Sequence, residues 1–327
     1  MNYQELFSHF KQKKVLIIGD VMLDAYVLGR VTRISPEAPV PIISLEKKES
    51  RIGGAGNVAL NILNLGAKPI VASVVGADSE GQELINLFEK RGISTQGVIV
   101  SNNRQTTVKT RVISSKQQML RIDSEDTHPI SDEIVKNLYS TVEKIIDEGV
   151  DAIILEDYNK GIFSKKTIRF FIELANQKNI PITADPKKEN FNQFAGLSIF
   201  KPNLKELKEG LNIDFEFSKD KSAFENTVQQ LRREIPHEIS LVTLSEHGIY
   251  VMDNSSSAYA KAHPRDITDV SGAGDTVIAT ATLCLICGAT VEQIAQISNI
   301  AGGMVCEKPG VVSVQLNELI KEVSELL

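Results

Sequence analysis

Little in this chain points to a membrane, a nucleic acid or a disulfide framework. No apolar run approaches the ~20 residues that cross a bilayer. Lysine and arginine total 36 against 42 aspartate and glutamate, a formal net charge of −6. That leaves no basic field to attract nucleic acid. There are three cysteines. Cys284 and Cys287 form a C-x-x-C inside an apolar helical run, with no second ligand pair for a four-ligand zinc, so they read as buried, reduced thiols. No G-x-x-x-x-G-K-[S/T] is present, which excludes a P-loop nucleoside triphosphatase, and there is neither a protein-kinase motif set nor a G-x-S-x-G elbow. Met1 to Lys14 carries Lys11, Lys13 and Lys14 with no apolar core before them, so no secretory signal and a cytoplasmic location are expected. No repeat, low-complexity tract or long linker interrupts the chain. One domain over 1–327 with a small lid is expected.

What is there centres on Asp269-Val270-Ser271-Gly272-Ala273-Gly274-Asp275-Thr276 and the apolar run Val277 to Cys287. It reads as a glycine loop opening into a helix. The first turn of a helix leaves amides unpaired, and the macrodipole adds positive potential, so such a loop binds anions, phosphate above all. Asp275 is either an N-cap or a carboxylate held beside a bound phosphate, as a general base is in phosphoryl transfer.

Upstream, Lys14 to Gly19 reads as a buried strand, and Asp20 and Asp24 follow it. Carboxylates past the end of a parallel strand lie where open α/β sheets bind ligands, and acceptor-only side chains suit a polyhydroxylated substrate. Arg30 to Pro41 reads as a proline-rich loop, Val40 to Leu45 as a strand. Gly53, Gly54 and Asn57 enter a helix to about Leu65; the glycines admit a substrate to the backbone, and Asn57 both donates and accepts. Gly97 to Val100, Thr106 to Ser114 and Met119 to Asp123 read as strands of an antiparallel piece carrying Lys109, Arg111 and Arg121. Those cations form either a solvated face or a flap that grips an anion. From Asp132 on, helices and strands alternate, which predicts a parallel, doubly wound sheet.

Four polar stretches fall at the ends of those strands: Asp157 to Gly161, Asp185-Pro186-Lys187, Lys201 to Glu206, and Thr243 to Gly248. Each alone is ordinary capping chemistry. Together they put carboxylates, amides and lysines repeatedly at one sheet edge, where the site is expected. Gly54 to Ala59 also matches the dinucleotide fingerprint G-x-G-x-x-A, but it follows the charged segment Glu46 to Arg51 rather than the first buried strand.

Two signatures at this separation, Gly53-Gly54-Ala55-x-Asn57 and Asp269-x-x-Gly272-Ala273-Gly274-Asp275, resemble those of the ribokinase-like (PfkB) carbohydrate kinases over essentially the whole chain. Gly19 to Asp24, Arg33 to Pro41, Thr107 to Arg111 and Asp157 to Gly161 resemble more specifically the D-glycero-D-manno-heptose 7-phosphate kinases, the kinase domain of bacterial ADP-heptose synthesis enzymes. The resemblance implies an α/β three-layer sandwich, with a mainly parallel doubly wound sheet and a β lid from about 30–50 and 98–123. A nucleotidyltransferase domain fused in many relatives is not expected here.

By the same resemblance, Asp275 is the base that takes the sugar hydroxyl's proton, and the amides of Gly272, Ala273 and Gly274 form the anion hole. Asp20, Asp24, Gly53, Gly54 and Asn57 match sugar-binding positions. Asn203 and Glu206 match Asn-x-x-Glu, which positions Mg²⁺ and its waters on the phosphates of ATP. Thr243, Ser245 and Gly248 match the nucleotide-phosphate edge, and Asn299 borders adenine. Asp269 and Ser271 match a monovalent-cation site, for K⁺. A homodimer through the lid is implied. A sugar phosphate also needs cations for its own phosphate; Lys109, Arg111, Arg33, Arg121, Lys160 and Lys187 qualify by charge and position, and Asp157 joins the substrate set. The expected reaction is ATP-dependent phosphorylation of the anomeric hydroxyl of the heptose 7-phosphate, for nucleotide-heptose and surface polysaccharide synthesis. The alternatives are a kinase for ribose, fructose or another sugar phosphate, a dinucleotide-dependent oxidoreductase, and a non-catalytic sugar-binding regulator.

Overall fold

The computed structural model describes residues 2–115 and 117–327. Met1, at the head of the N-terminal segment, and Lys116, inside the expected lid range, lie outside the described residues. α1 (Tyr3–Phe10) leads into β1 (Lys14–Gly19), after which the chain leaves the main layer for two 14-residue strands, β2 (Val21–Ile34) and β3 (Pro41–Gly54). α2 (Ala55–Asn64), β4 (Lys68–Gly76), α3 (Ser79–Lys90) and β5 (Ser94–Ser101) return to it. β6 (Val108–Ser114) and β7 (Gln117–Ser124) leave again. Alternation follows in α4 (Asp132–Asp147), β8 (Ala152–Glu156), α5 (Lys165–Gln177) and β9 (Ile182–Asp185), and a single 3₁₀ segment, Lys188–Gln193, leads to β10 (Leu197–Phe200). α6 (Leu204–Gly210), α7 (Lys221–Glu234), β11 (His237–Thr243), β12 (Ile249–Met252) and β13 (Ser257–Ala260) come next. The chain closes with α8 (Ala273–Ile286), α9 (Val291–Cys306) and α10 (Leu316–Leu326).

The main sheet has nine strands in the order β13-β12-β11-β10-β9-β8-β1-β4-β5. β11 through β5 run parallel, and the β12–β13 edge is antiparallel. Because β1 is buried on both sides, its apolar run splits by the two-residue pleat. Val15 and Ile17 join a core with α1, α2, α8, α9 and α10, while Leu16 and Ile18 join one with α4, α5, α6 and α7. α8 is apolar almost all round, and Ile278, Ala279, Ala281, Leu283 and Cys284 are fully buried, as a helix enclosed by others and a sheet must be. All three cysteines are buried and free. Strand order reverses between β8 and β1, so their C-terminal ends open the crevice in which doubly wound sheets hold ligands.

The lid is a separate four-stranded sheet in the order β3-β2-β6-β7. It corrects three expectations. Arg30 to Ile34 belong to β2 rather than to a loop, and only 35–40 form the turn; Pro41 opens β3, where a missing amide costs nothing. Ser94–Ser101 overlaps the expected lid range from residue 98, but it pairs parallel with β4 in the main sheet. The lid itself is mixed, since β6 lies parallel to β2 and antiparallel to β7. Asp24 is accordingly a lid-strand residue, whereas Asp20 is the residue directly after β1.

Candidate active site

Gly272 is the N-cap of α8; its φ of 80° suits glycine, and an added Cβ would crowd Nδ2 of Asn57 at 2.6 Å. Ala273 and Gly274 of the first turn border a large cavity, and their amides lie at the positive end of the helix. That of Ala273 also makes a long 3.3 Å bond to the Val270 carbonyl. Asp275, in this turn, is buried and does not cap the helix. Its Oδ2 accepts from Asn57 Nδ2 at 2.7 Å, and its Oδ1 accepts from the Tyr158 hydroxyl at 2.7 Å. Burial raises its pKa, and the two hydrogen bonds oppose the rise. The Gly54–Ala59 stretch thus serves the crevice through Asn57, and the backbone after β1 closes on it through an Ala55 N–H to Asp20 carbonyl bond of 3.0 Å.

Three carboxylates converge here, because parallel register places Glu156 of β8 level with Asp185 of β9, and α8 lays Asp275 against both. One oxygen from each lies within 4.8 Å of the others. Asp185 is held by Lys201 Nζ at 2.7 Å and Lys187 Nζ at 3.4 Å; burial pushes its pKa up, but the two ammoniums outweigh that and hold it low. Glu156 is fully buried and neither oxygen has a hydrogen-bond partner. Burial, then the charges of Asp185 and Asp275, raise its pKa well above the usual carboxylate value. The folded state therefore holds a proton that the unfolded state releases above its ordinary pKa, so this group costs stability increasingly as pH rises. Glu156→Gln should melt higher than the parent by about 1–2 °C at pH 8, roughly a 1 kcal/mol gain in a chain of 327 residues. The gain should shrink toward pH 5. A melting difference independent of pH would refute the assignment.

On the lid side, Asp20 Oδ2 accepts from the amides of Tyr158 at 2.9 Å and Lys160 at 3.1 Å, while Oδ1 is buried and unpartnered. An orphaned acceptor at a crevice mouth fits a hydroxyl-bearing ligand. Asp24 is buried and ion-paired with Arg111 of β6, and Gly53 packs against it. Gly54, at φ 60°, caps α2. Asp157 accepts from the Asn159 amide and Asn190 Nδ2, and burial lifts its pKa to about 6. Of the six candidate cations, Lys160 pairs with Glu125 at 2.8 Å and Arg121 with Asp123 at 2.8 Å, and Arg33 is exposed far along β2. Lys109 lies 5.4 Å from the Tyr158 ring centroid, and Lys187 lies equally close to it. Tyr158 and Glu156 were assigned no role from sequence; the first lies within a stretch already singled out, the second just before it.

On the other side of the α8 turn is a cavity of about 1090 Å³ lined by Asn203, Thr243, Ser245, Gly248, Gly274 and Asn299, among others. Of the residues expected from sequence at the nucleotide, Asn203, Thr243, Ser245, Gly248 and Asn299 border this one space, and Glu206 is not among its lining. Ser245 (φ 56°) and Gly248 (φ 103°) form a tight turn after β11. Asn203 and Glu206 form a reciprocal capping box on α6, each bond 2.8 Å, and the other oxygen of Glu206 holds Lys187 at 2.9 Å. Asn299 Nδ2 donates to the Lys261 carbonyl at 2.8 Å. Asp269 accepts from the amides of Ser271 and Gly310, tying the loop before α8 to the one after α9.

The family model of the pfkB family carbohydrate kinases matches residues 12–317. The bifunctional protein HldE of Aliarcobacter butzleri is 39% identical over 316 residues, covering 97% of this chain and 65% of that protein. The bifunctional protein HldE of Methylobacillus flagellatus is 39% identical over 308 residues, covering 94% and 62%. The chain therefore spans less than two-thirds of the length of these relatives. Among solved structures, phosphofructokinase-2 from Escherichia coli in complex with potassium superposes with a TM-score of 0.80 at 18% identity, covering 96% of this chain and 99% of that one. Arabidopsis thaliana ribokinase complexed with ribose and ATP gives 0.72 at 16%, covering 95% and 98%. These two likenesses establish the ribokinase-like fold.

Proposed function

The chain belongs to the pfkB carbohydrate kinase family, and from that premise we propose that it phosphorylates the anomeric hydroxyl of D-glycero-D-manno-heptose 7-phosphate with ATP. The product is the 1,7-bisphosphate, a precursor of nucleotide-activated heptose for surface polysaccharide. The observation carrying the reading is the placement of Asp275, buried between a nucleotide-sized cavity and a lid face bearing Asp24, Lys109 and Arg111. Asp20, Asp24, Asn57 and Asp157, with the backbone of Gly53 and Gly54, hold the sugar hydroxyls. Asp275 takes the hydroxyl proton as the new O–P bond forms, and the amides of Gly272, Ala273 and Gly274 receive the charge on the transferring group.

Asn203, Thr243, Ser245, Gly248 and Asn299 line the ATP site in this reading. Both oxygens of Glu206 are already engaged, so it fits Mg²⁺ through the ion's waters, as suits a cation that keeps its hydration. Bound there, Mg²⁺ supplies charge neutralisation on the phosphates. Asp269 and Ser271 form the K⁺ site. Strand β7 supports a homodimer through the lid, because it is an edge strand exposed along its length with Leu120 and Ile122 each more than half exposed. Ile122→Lys should move the sedimentation coefficient from dimer to monomer; an unchanged value rules this interface out.

ADP release with Mg-ATP, with and without K⁺, tests the substrate against a panel of the heptose 7-phosphate, sedoheptulose 7-phosphate, fructose 6-phosphate, fructose and ribose. Preference for the heptose phosphate supports the reading. Preference for another sugar keeps the kinase and replaces the substrate.

A further inference from the structure

One residue joins the sugar side of the crevice to the base and is used by neither in the reading above. Tyr158 donates its amide to Asp20 Oδ2 at 2.9 Å and its hydroxyl to Asp275 Oδ1 at 2.7 Å. Its ring is held by Lys109 of the lid and Lys187 of the body, each ammonium 5.4 Å from the centroid. We propose that Tyr158 is the positioning residue of the transfer step: its hydroxyl fixes which carboxylate oxygen of Asp275 faces the sugar, and its two lysine contacts make that orientation depend on the seating of the lid. The inference rests on the kinase reading and on Asp275 as the base.

The geometry leaves the division of labour clear. Asp275 has two hydrogen bonds, one from Asn57 to Oδ2 and one from Tyr158 to Oδ1. With Asn57 alone, one hydrogen bond rather than two sets the side-chain torsion of the carboxylate. The bond from Tyr158 favours the ionised form of Asp275, so its loss raises the pKa of the base and shifts the acid limb of the kcat–pH profile upward. The other charged groups facing this pair are Asp20 after β1, Lys109 of β6, Glu156 at the end of β8, Asp185 at the end of β9 with Lys187 after it, and Lys201 after β10 bound to Asp185. None of these is altered when only the phenolic oxygen is removed.

The test is Tyr158→Phe measured beside Asp275→Asn on the same sugar phosphate. Tyr158→Phe should lose about 10–100-fold in kcat through misorientation, with the KM for ATP within about twofold and the acid limb about one pH unit higher. Loss of kcat without a shift of the limb would mean structural support only and would overturn the proposal, as would wild-type kcat with an unmoved limb. Substantial activity in Asp275→Asn would instead overturn the base itself, a distinguishable failure. Should Tyr158→Phe lose its cooperative melt, 3,5-difluorotyrosine at position 158 keeps ring and hydroxyl. Its more acidic phenol should move the limb down, and an unmoved limb overturns the proposal.

Discussion

Asp275→Asn should lower kcat by about 10³-fold while leaving the KM for ATP within about twofold, the effect of deleting a general base from a site that otherwise persists. The carboxylate receives two donors, Asn57 Nδ2 and the Tyr158 hydroxyl. An asparagine offers one acceptor and one donor in the same space, so one of those bonds becomes a donor facing a donor. The cavity proposed for the nucleotide is lined by Asn203, Thr243, Gly248 and Asn299, none of which is a hydrogen-bond partner of Asp275, and ATP binding should therefore survive. Steady-state kinetics with both substrates varied checks this. Activity near wild type would move the proton acceptor elsewhere, with Glu156 and Asp185 as the neighbouring carboxylates.

Much of this site was legible before any coordinates because its residues announce themselves locally. A glycine loop feeding an apolar run reads as a turn into a buried helix, and α8 begins within it. Asp20 and Asp157 each follow a short apolar strand, and the rule for doubly wound sheets places such residues together; the Tyr158 amide bound to Asp20 is that meeting. The lid was harder. β2 and β3 are 14 residues long but only partly buried, so polar residues on the open face blur the two-residue alternation, and three prolines hid the ends of both strands. Residue 98 was assigned to the lid because β-branched alternation says strand without saying which sheet. Glu156 was silent for another reason. Its meaning lies in its register with Asp185 across the sheet and in the angle of α8, neither of which leaves a mark in the neighbouring sequence.

The second large effect concerns the substrate's own phosphate. Lys109→Met should raise the KM for the sugar phosphate by about 10–100-fold, the loss of one charge-assisted hydrogen bond, with the KM for ATP within about twofold. Lys109 stands out among the six cations by elimination. Arg111 is neutralised by Asp24, Lys160 by Glu125, Arg121 by Asp123, and Lys187 by Asp185 and Glu206, while Arg33 is exposed. Among the described residues, no carboxylate lies within ion-pair distance of Lys109, and burial holds its pKa below the usual lysine value, with Asp24 opposing. A half-buried ammonium of this kind gains most from an incoming dianion, which restores the favourable charge balance that burial removed. Arg121→Gln, whose partner Asp123 already satisfies it, should change the same KM by less than about threefold. The decisive comparison is with a sugar lacking the phosphate. Lys109→Met and the parent should then show similar KM values, because the ammonium contributes to binding only when the anion is present. A penalty equal for both sugars would leave Lys109 only its contact with the Tyr158 ring and return the phosphate to Arg111.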